Sequence, residues 1–572
     1  MKALIACIAF NPPEGFRNCH RSPDKASTVM SPEISRYADP TFQRYRKLGR
    51  RDNMPLAFET GFCMQASRSF ANLVRVCAVS TLIVLAACST LQPVDLPPET
   101  TPPPANAAIW EELAEIRDDD WFALLNDGAT ALDWRIRAIE TATESIDMQT
   151  FLWNLDTTGK LVFSHLLEAA DRGVSVKLLV DDTFLLGEDQ LLIEIAHHEN
   201  IEYRVFNPYK RRADGFVTRQ ALNLAEFHRL DHRMHNKALI VDNRVAIVGG
   251  RNIADEYFGL HGQANFRDLE VLLGGPTVAK VAQSFDEYWN DHWSFPIEML
   301  GHIDARPVDV ETLFQVDSPP MGVFQEAASS TNRELWRTLV ENAHSGTATL
   351  LVDKPPDKNP ALASEAPVQA ADALHDVLEQ ARQEVIAVSA YLIPTPRLER
   401  TVAAAVERGV RFRILTNSIR SNNHLTAHSA YRNHIKNLME QGSELHEVRV
   451  DAASRDSYMR APVQGKNLAL HAKVMVVDDD LAFIGSANLD PRSLRINTEM
   501  GLLIRSEELN RELRTLLAPD FERANAWELQ IDADGDVIWV SDKQVLDSQP
   551  AESWLQRLED WFFAHLPIEG KL

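Results

Sequence analysis

Residues 235–252 read HNKALIVDNRVAIVGGRN, and residues 471–488 read HAKVMVVDDDLAFIGSAN. The second stretch repeats the first at a constant offset of 236 residues: His235 and His471, Lys237 and Lys473, Asp242 and Asp478, Gly249 and Gly485, Gly250 and Ser486, Asn252 and Asn488. Gly173 and Gly409 keep the same offset upstream. Two copies of H-x-K-x4-D-x6-G-[GS]-x-N without slippage are an internal repeat, so the fold is a duplicated unit.

After each His-x-Lys the residues alternate as a strand does, which points His and Lys to the same side. Imidazole serves as nucleophile or as general acid and base near neutral pH. The ammonium is a compact donor to phosphate oxygens. The Gly-[Gly/Ser]-x-Asn turn brings a side-chain amide and exposed backbone to the same point, and both can donate to a phosphoryl oxygen. Two such lobes face to face supply two His, two Lys and two Asn around one phosphate, enough for in-line displacement at phosphorus without a metal. Asp242 and Asp478 complete each motif but fall beyond their strands at the turn, where a structural role fits better than direct chemistry.

The surrounding pattern alternates strand and helix, which makes an α/β fold with a largely buried sheet. In the first lobe, Ser145–Trp153 reads as a strand, Gly159–Arg172 as a helix ended by Gly173, and Val174–Val180 as a buried strand. Ala238–Val241 and Val245–Val248 follow as short strands about a turn at Asn243. The second lobe repeats this with Val385–Ile393, Leu398–Arg408 ended by Gly409, Val410–Leu415, Val474–Val477 and Leu481–Ile484. Order is expected from Trp110, with helical periodicity through Ile136. Pro307–Ser330 and Lys354–Asp372 read as loops. Trp527–Val540 reads as a hairpin turned at Asp534-Gly535; its acidic residues lack the glycine spacing of a calcium loop. Ser553–His565 reads as a last helix with Trp554, Leu558, Trp561 and Phe562 on one face, a stripe expected to pack on the core, with contact to a membrane as the alternative.

These residues resemble the HKD signature of the phospholipase D superfamily, with both copies intact. The resemblance runs from Trp110 to Leu572 and is closest to bacterial cardiolipin synthases of the C type. It is carried by RMHNKALIVDNRVAIVGGRNIADEYF, NFRDLEVLLGGPTV, SAYLIPT, GVRFRILTNS, LHAKVMVVDDDLAFIGSANLDPRSLRINTEMGLLI and the terminal LPIEGKL. It implies two pseudo-symmetric phospholipase D-type lobes, each a mixed β-sheet flanked by helices, sharing one central active site. It also implies a covalent phosphohistidine, no cofactor and no metal. His235 would be the nucleophile and His471 the acid that protonates the leaving alcohol, although the residues alone leave these roles interchangeable. The catalytic set is then His235, Lys237, Asp242, His471, Lys473 and Asp478, with Asn252 and Asn488 on the phosphate. Glu499 resembles the carboxylate that orients a catalytic His through its second nitrogen. Its first-lobe counterpart is Asp268, with Glu270 as the second choice.

Other histidines offer rival readings. His228, His232 and His235 have a spacing that on a helix could hold zinc, but His235 belongs to the repeat, and Arg229 and Arg233 flank the cluster unfavourably for a cation. His424 and His428 read as exposed loop residues or as lining for a lipid headgroup pocket.

Composition narrows the partners. Residues 1–87 carry 12 Lys and Arg against 6 Asp and Glu, so the formal charge of -24 leaves about -30 on the rest. Such a body is a poor partner for nucleic acid, which argues against a nuclease, and it gains no electrostatic help in reaching anionic lipid. The five cysteines, Cys7, Cys19, Cys63, Cys77 and Cys88, all lie in the first 88 residues, so the body holds no disulfide framework. From Met64, a segment with Arg68 and Arg75 leads into the apolar run Val76–Ala87 and ends Leu85-Ala86-Ala87-Cys88. This matches a secretory signal, and its end resembles a bacterial lipobox with Cys88 as the lipidated residue. Ser89 then favours outer-membrane sorting.

The expected layout is a non-native or disordered extension at 1–63, a signal peptide at 64–87 and a Pro-rich tether at 88–108. A first lobe at 109–306, an inter-lobe segment with loops at 307–372, a second lobe at 373–520 and a C-terminal hairpin and helix at 521–572 complete it. The expected activity is a phosphatidyltransferase making cardiolipin from phosphatidylglycerol, with phosphatidylethanolamine as a further donor, acting as a monomer on an envelope membrane through its lipid anchor. Hydrolysis of phospholipids to phosphatidic acid is the alternative. A non-catalytic binding module would show eroded motifs, and neither motif is eroded.

Overall fold

The apolar runs flanking each repeat build two large mixed sheets. The computed structural model describes residues 90–301, 314, 329–356, 369–566 and 569–572. The extension, the signal segment, Cys88 and Ser89 lie outside the described residues.

The first lobe contributes β1 (Trp121–Leu125), β2 (Ser145–Thr150), β3 (Ser175–Asp181), β4 (Ile201–Phe206), β5 (Ala238–Val241), β6 (Val245–Gly249), β7 (Ala264–Arg267), β8 (Glu270–Gly274) and β9 (Ser294–Pro296), followed by β10 (His344–Ser345). The second contributes β11 (Thr347–Val352), β12 (Glu384–Ser389), β13 (Arg411–Asn417), β14 (Glu444–Val448), β15 (Asn467–Leu470), β16 (Lys473–Val477), β17 (Leu481–Gly485) and β18 (Met500–Arg505). Then come β19 (Ala526–Ile531), β20 (Val537–Val540) and β21 (Val545–Leu546). The spatial order β1-β8-β6-β5-β2-β3-β4-β9 is matched position for position by β11-β18-β17-β16-β12-β13-β14-β19. The sequence repeat is therefore a repeat of topology.

In each sheet the three strands β2-β3-β4 or β12-β13-β14 run parallel. Parallel neighbours need a crossover, and the helices Thr157–Asp171 and Pro396–Glu407 supply the first one in each lobe. Asp156 and Thr395 cap their N-termini by accepting from Gly159 and Leu398 backbone N–H groups. Gly173 and Gly409 end them at φ of 93° and 89°, a left-handed conformation that glycine adopts without cost.

The lobes share one hydrophobic seam. Val248 and Val271 of the first sheet cluster with Val474, Ile484 and Leu502 of the second, and the helix Thr277–Trp289 adds Val278, Val281 and Phe285. Each such side chain stabilises by about 1.5–3 kcal/mol on burial, so the lobes are not independent domains.

Three expectations change. The stretch from Trp110 is not one helical run: the helix Ala108–Ile116 ends before β1, which is a strand because it pairs along its whole length with β8. Between the two loop stretches of the inter-lobe segment, which lie largely outside the described residues, stand the helix Ser329–Asn342 and the strands β10 and β11, one for each sheet. The described part of the Pro-rich tether is not free. Glu99 pairs with Lys177 at 2.7 Å and also binds Arg204, Thr101 donates to Asp286, and Ala105 is buried, so the segment lies along the first lobe. The C-terminal helix Trp554–Ala564 buries Asp560 and leaves its apolar stripe outside, the reverse of the expected packing. Among the described residues no helix is long and apolar enough to cross a membrane.

Candidate active site

The two histidines meet at the junction of the lobes, each held by a carboxylate from the opposite lobe. β7 pairs in parallel with β15 across the junction, with Leu470 opposite Arg267. The next residue on each chain is therefore adjacent, and His471 Nδ1 lies 2.7 Å from Asp268 Oδ2. The other half is built the same way. Met234 and Thr498 form an isolated parallel bridge, and His235 Nδ1 lies 2.9 Å and 3.1 Å from the two oxygens of Glu499. Both carboxylates bind Nδ1, which fixes tautomer and ring orientation. Glu270, the second choice for this role, is instead taken by Arg135 at 2.8 Å and Arg251 at 3.4 Å.

Backbone anchors repeat too. Asp181, at the end of β3, accepts from Met234 N at 3.0 Å; Asn417, at the end of β13, accepts from Leu470 N at 2.8 Å. Each fixes the residue just before a histidine. Lys237 and Lys473 lie beside the histidines and donate to the backbone carbonyls of His235 and His471. Asn252 donates to the Tyr257 hydroxyl at 2.8 Å, while Oδ1 of Asn252 and of Asn488 is buried with no protein partner. A buried polar end without a partner calls for a ligand or water.

Asp242 and Asp478 take no part in this cluster, which corrects their place in the catalytic set. Asp242 accepts from the backbone N–H groups of Thr143, Glu144 and Ser145 and from the Trp110 indole at 2.7 Å. Asp478 accepts from the N–H groups of Arg382, Gln383 and Glu384. Each ties the hairpin after a His-x-Lys segment to the start of its antiparallel neighbour, β2 for Asp242 and β12 for Asp478. Both sit at positive φ, 53° and 48°, where the tight turn requires it.

Burial dominates the electrostatics. It pushes His235 well below its usual range, helped by Lys237 and Lys473, and pushes His471 down to about 3, helped by Lys473. It also lowers Lys237 to about 7 and Lys473 to about 8 against the pull of the two carboxylates. Glu499 is raised to about 7 by burial, with Lys237 opposing. For Asp268 burial acts upward but is outweighed by His471, Lys473 and Arg251, which hold this carboxyl well below its ordinary range. The deeper fixed negative charge thus lies against His471.

Residues besides the His, Lys and Asn of the motif surround the two histidines. Phe151 stands edge-on to His235 with ring centroids 5.0 Å apart, and Tyr257 edge-on to His471 at 4.9 Å. Phe266 lies 5.2 Å from His471. Ser486 donates its hydroxyl to Glu499, and the Glu499 backbone N–H is accepted by Asp353 at 3.0 Å. Phe266 directly precedes Arg267 and Asp268, a proximity visible in sequence; Phe151 and Tyr257 carry no such signal. The rival histidines do not converge on one point: the rings of His228 and His232 lie 5.8 Å apart, but His232 Nδ1 binds the Ile496 carbonyl at 2.7 Å while His235 turns to Glu499. His428 is neither an exposed loop residue nor a pocket lining. It is fully buried and binds Asp560 at 2.9 Å. His424 lies against Tyr391 with ring centroids 5.5 Å apart.

A duplicated mixed sheet with two His-x-Lys strands, each histidine braced from the other lobe, defines an enzyme of the phospholipase D class. The family described as cardiolipin synthase, PLD-like domain, matches residues 136–289 and 374–520, and the chain belongs to it. Cardiolipin synthase C of Escherichia coli K12 is 32% identical over 454 residues, spanning 77% of this chain and 93% of that protein. Cardiolipin synthase B of the same organism is 27% identical over 406 residues, spanning 70% of this chain and 79% of that protein. Among solved structures, phosphatidylserine synthase from Haemophilus influenzae Rd KW20 aligns with 73% of this chain and 92% of its own, at 13% identity and a TM-score of 0.49.

Proposed function

We propose that the chain moves a phosphatidyl group from one phospholipid to the hydroxyl of phosphatidylglycerol and so makes cardiolipin. The observation that carries this reading is the crossed pair of braced histidines at one junction, in a chain similar over most of its length to a cardiolipin synthase. His235 Nε2 attacks phosphorus, the bond from phosphorus to the leaving alcohol breaks, and His471 gives that oxygen a proton. The acceptor hydroxyl then returns its proton to His471 as its oxygen attacks phosphorus, and the phosphorus–nitrogen bond breaks. Lys237, Lys473, Asn252 and Asn488 hold the phosphate.

The electrostatic difference between the halves supports this division of roles. Burial disfavours the charged form of both rings, which suits a nucleophile and not an acid. A bound phosphodiester offsets the lysines, and the ionised Asp268 then stabilises an imidazolium at His471 more than the weaker acid Glu499 does at His235. The donor is phosphatidylglycerol, with phosphatidylethanolamine as a second candidate. The enzyme acts as a monomer at an envelope membrane, held by lipid on Cys88 and facing the periplasm, with Ser89 favouring the outer membrane. The test is product analysis with labelled phosphatidylglycerol. Labelled cardiolipin that disappears in His235→Ala supports the reading; phosphatidic acid without cardiolipin overturns it in favour of hydrolysis.

A further inference from the structure

The C-terminal helix Trp554–Ala564 is turned inside out for a surface helix. Its buried anchor is a carboxylate: Asp560 accepts from His428 at 2.9 Å, Ser429 at 2.9 Å and Arg432 at 3.0 Å. Its apolar side chains face outward, with Trp554 74% exposed, Leu558 49%, Trp561 50% and Phe562 55%. Surface helices of globular proteins place these faces the other way round. A second such cluster lies on the first lobe, where Val217, Leu222 and Leu224 are 58%, 43% and 44% exposed.

Both clusters are wired to the histidines. On the first lobe Phe216 stacks on Phe184 at 6.3 Å, Phe184 meets Phe151 at 5.5 Å, and Phe151 meets His235 at 5.0 Å. On the second, Gln556 donates to the Ile419 carbonyl at 3.1 Å, and Asn417 two residues earlier donates to the Leu470 carbonyl at 2.8 Å, next to His471. The chain end, which follows the last helix, reaches the first lobe near its cluster. Lys571 pairs with Asp231 and stands 6.0 Å over the ring of Phe227, three residues after Leu224. Each apolar cluster thus lies a few contacts from the histidine of its own lobe.

We propose that the exposed face of the last helix docks on a phospholipid bilayer, with Trp554, Trp561 and Phe562 inserted at the headgroup level. The inference rests on the reading of the substrate as a phospholipid. On that reading the substrate sits in a bilayer. An exposed apolar helix face linked through Gln556, Ile419 and Asn417 to the neighbour of His471 therefore fits that bilayer rather than a folded partner. Tryptophan suits the headgroup layer, with an apolar body and a polar N–H. Charge does not drive the contact: the chain carries a formal charge of -24, so apolar insertion must do so. Docking is therefore insensitive to salt and to the anionic lipid fraction.

The test uses the full chain carrying His235→Ala, which leaves the lipid unconsumed, on phosphatidylcholine vesicles with and without phosphatidylglycerol. Bromine placed high on the acyl chains quenches nearby tryptophan. The expected result is quenching of similar depth in both vesicles, lost in large part when Trp554→Phe and Trp561→Phe are added. This reads the helix itself, whatever else tethers the chain. Quenching unchanged by the two replacements overturns the proposal. In the otherwise native chain, Trp561→Glu with Phe562→Glu should lower turnover on vesicles by about tenfold through lost apolar insertion, and leave turnover of a dispersed short-chain phospholipid unchanged. Equal loss on both substrates, or a change in mass by light scattering without loss on vesicles, overturns it. Quenching with no phospholipid turnover in the native chain would instead overturn the proposed function and leave the docking face standing.

Discussion

The first and second halves of the site share the same His-x-Lys and differ in the carboxylate beside it. Glu499 sits next to Ser486, which donates a hydroxyl to it. Asp268, one methylene shorter, sits next to Gly250, where an added Cβ would stand 2.7 Å from Asp268 Oδ1. That oxygen already accepts from Leu269 N at 2.8 Å. The single departure within the motif, glycine for serine, thus goes with the departure outside it, aspartate for glutamate. The duplicated geometry has been kept while its charge has been divided, with the deeper fixed charge at His471. Because each carboxylate serves the other lobe, neither lobe contains a finished histidine.

The comparison breaks most visibly at the histidines. His235→Ala should remove transfer on every substrate, since no other nucleophile replaces it. His471→Ala should cost about 10²–10⁴-fold on a natural lipid, the range for a lost general acid, but far less on a phosphodiester with a nitrophenol leaving group. First-turnover release of the leaving alcohol from the two substrates decides this, since the second step needs His471 again as base. If both variants lose equally on both, the division of roles is wrong.

The crossing gives the next largest effect. Asp268→Asn and Glu499→Gln should each lower kcat/KM by about 10–100-fold, the scale for losing a partner that orients a functional histidine. Asp268→Asn should share the leaving-group dependence of His471→Ala, although Asp268 lies in the lobe of His235. Glu499→Gln should follow His235→Ala in showing no rescue. A carboxylate variant that behaves like the histidine of its own lobe would undo the crossed arrangement.

The lysines sharpen the contrast through pH. Lys237 and Lys473 lose their protons as pH rises through about 7 and about 8 in the free enzyme. Cations needed for phosphate therefore disappear on the alkaline side, and kcat/KM should fall there in two steps, first with the lysine of the nucleophile half. Lys473→Met should remove the upper step and leave the lower one. A kcat/KM profile flat up to the ordinary lysine range would show that the two ammonium groups are not held down by burial.

The sequence made the repeat legible because His235 and His471 keep register with their glycines, and β5, β6, β16 and β17 formed where the apolar runs lay. Asp268 and Glu499 were also recognisable as carboxylates for the histidines. Their crossing was not, because it depends on the pairing of Leu470 with Arg267 and of Met234 with Thr498, contacts between distant segments that no local period encodes. β1 was hidden for the same reason: WFALL is apolar enough for a helix, and its five pairings with β8 make it a strand. Residues 92–108 read as a spacer from their prolines, yet Glu99 finds Lys177 and Arg204 on the first lobe. In the last helix the apolar stripe was read correctly and its direction was not, because the partners of Asp560 lie more than 120 residues away.

The smallest expected effect is the most direct probe of the paired difference. Gly250→Ser makes the first copy resemble the second, but the new Cβ meets a carboxylate fixed by Leu269 and His471, so Asp268 must move. The loss should fall on the His471 step and show the leaving-group dependence of Asp268→Asn. Ser486→Gly makes the second copy resemble the first and meets no such obstacle. It removes the hydroxyl that donates to Glu499 and accepts from Met500 N at 3.0 Å. At about 0.5–1.5 kcal/mol per lost hydrogen bond, kcat/KM should fall by a few-fold to about tenfold, on every substrate alike. The two exchanges should therefore differ in size and in leaving-group dependence, and equal effects would mean that the carboxylate beside each position does not govern what that position tolerates.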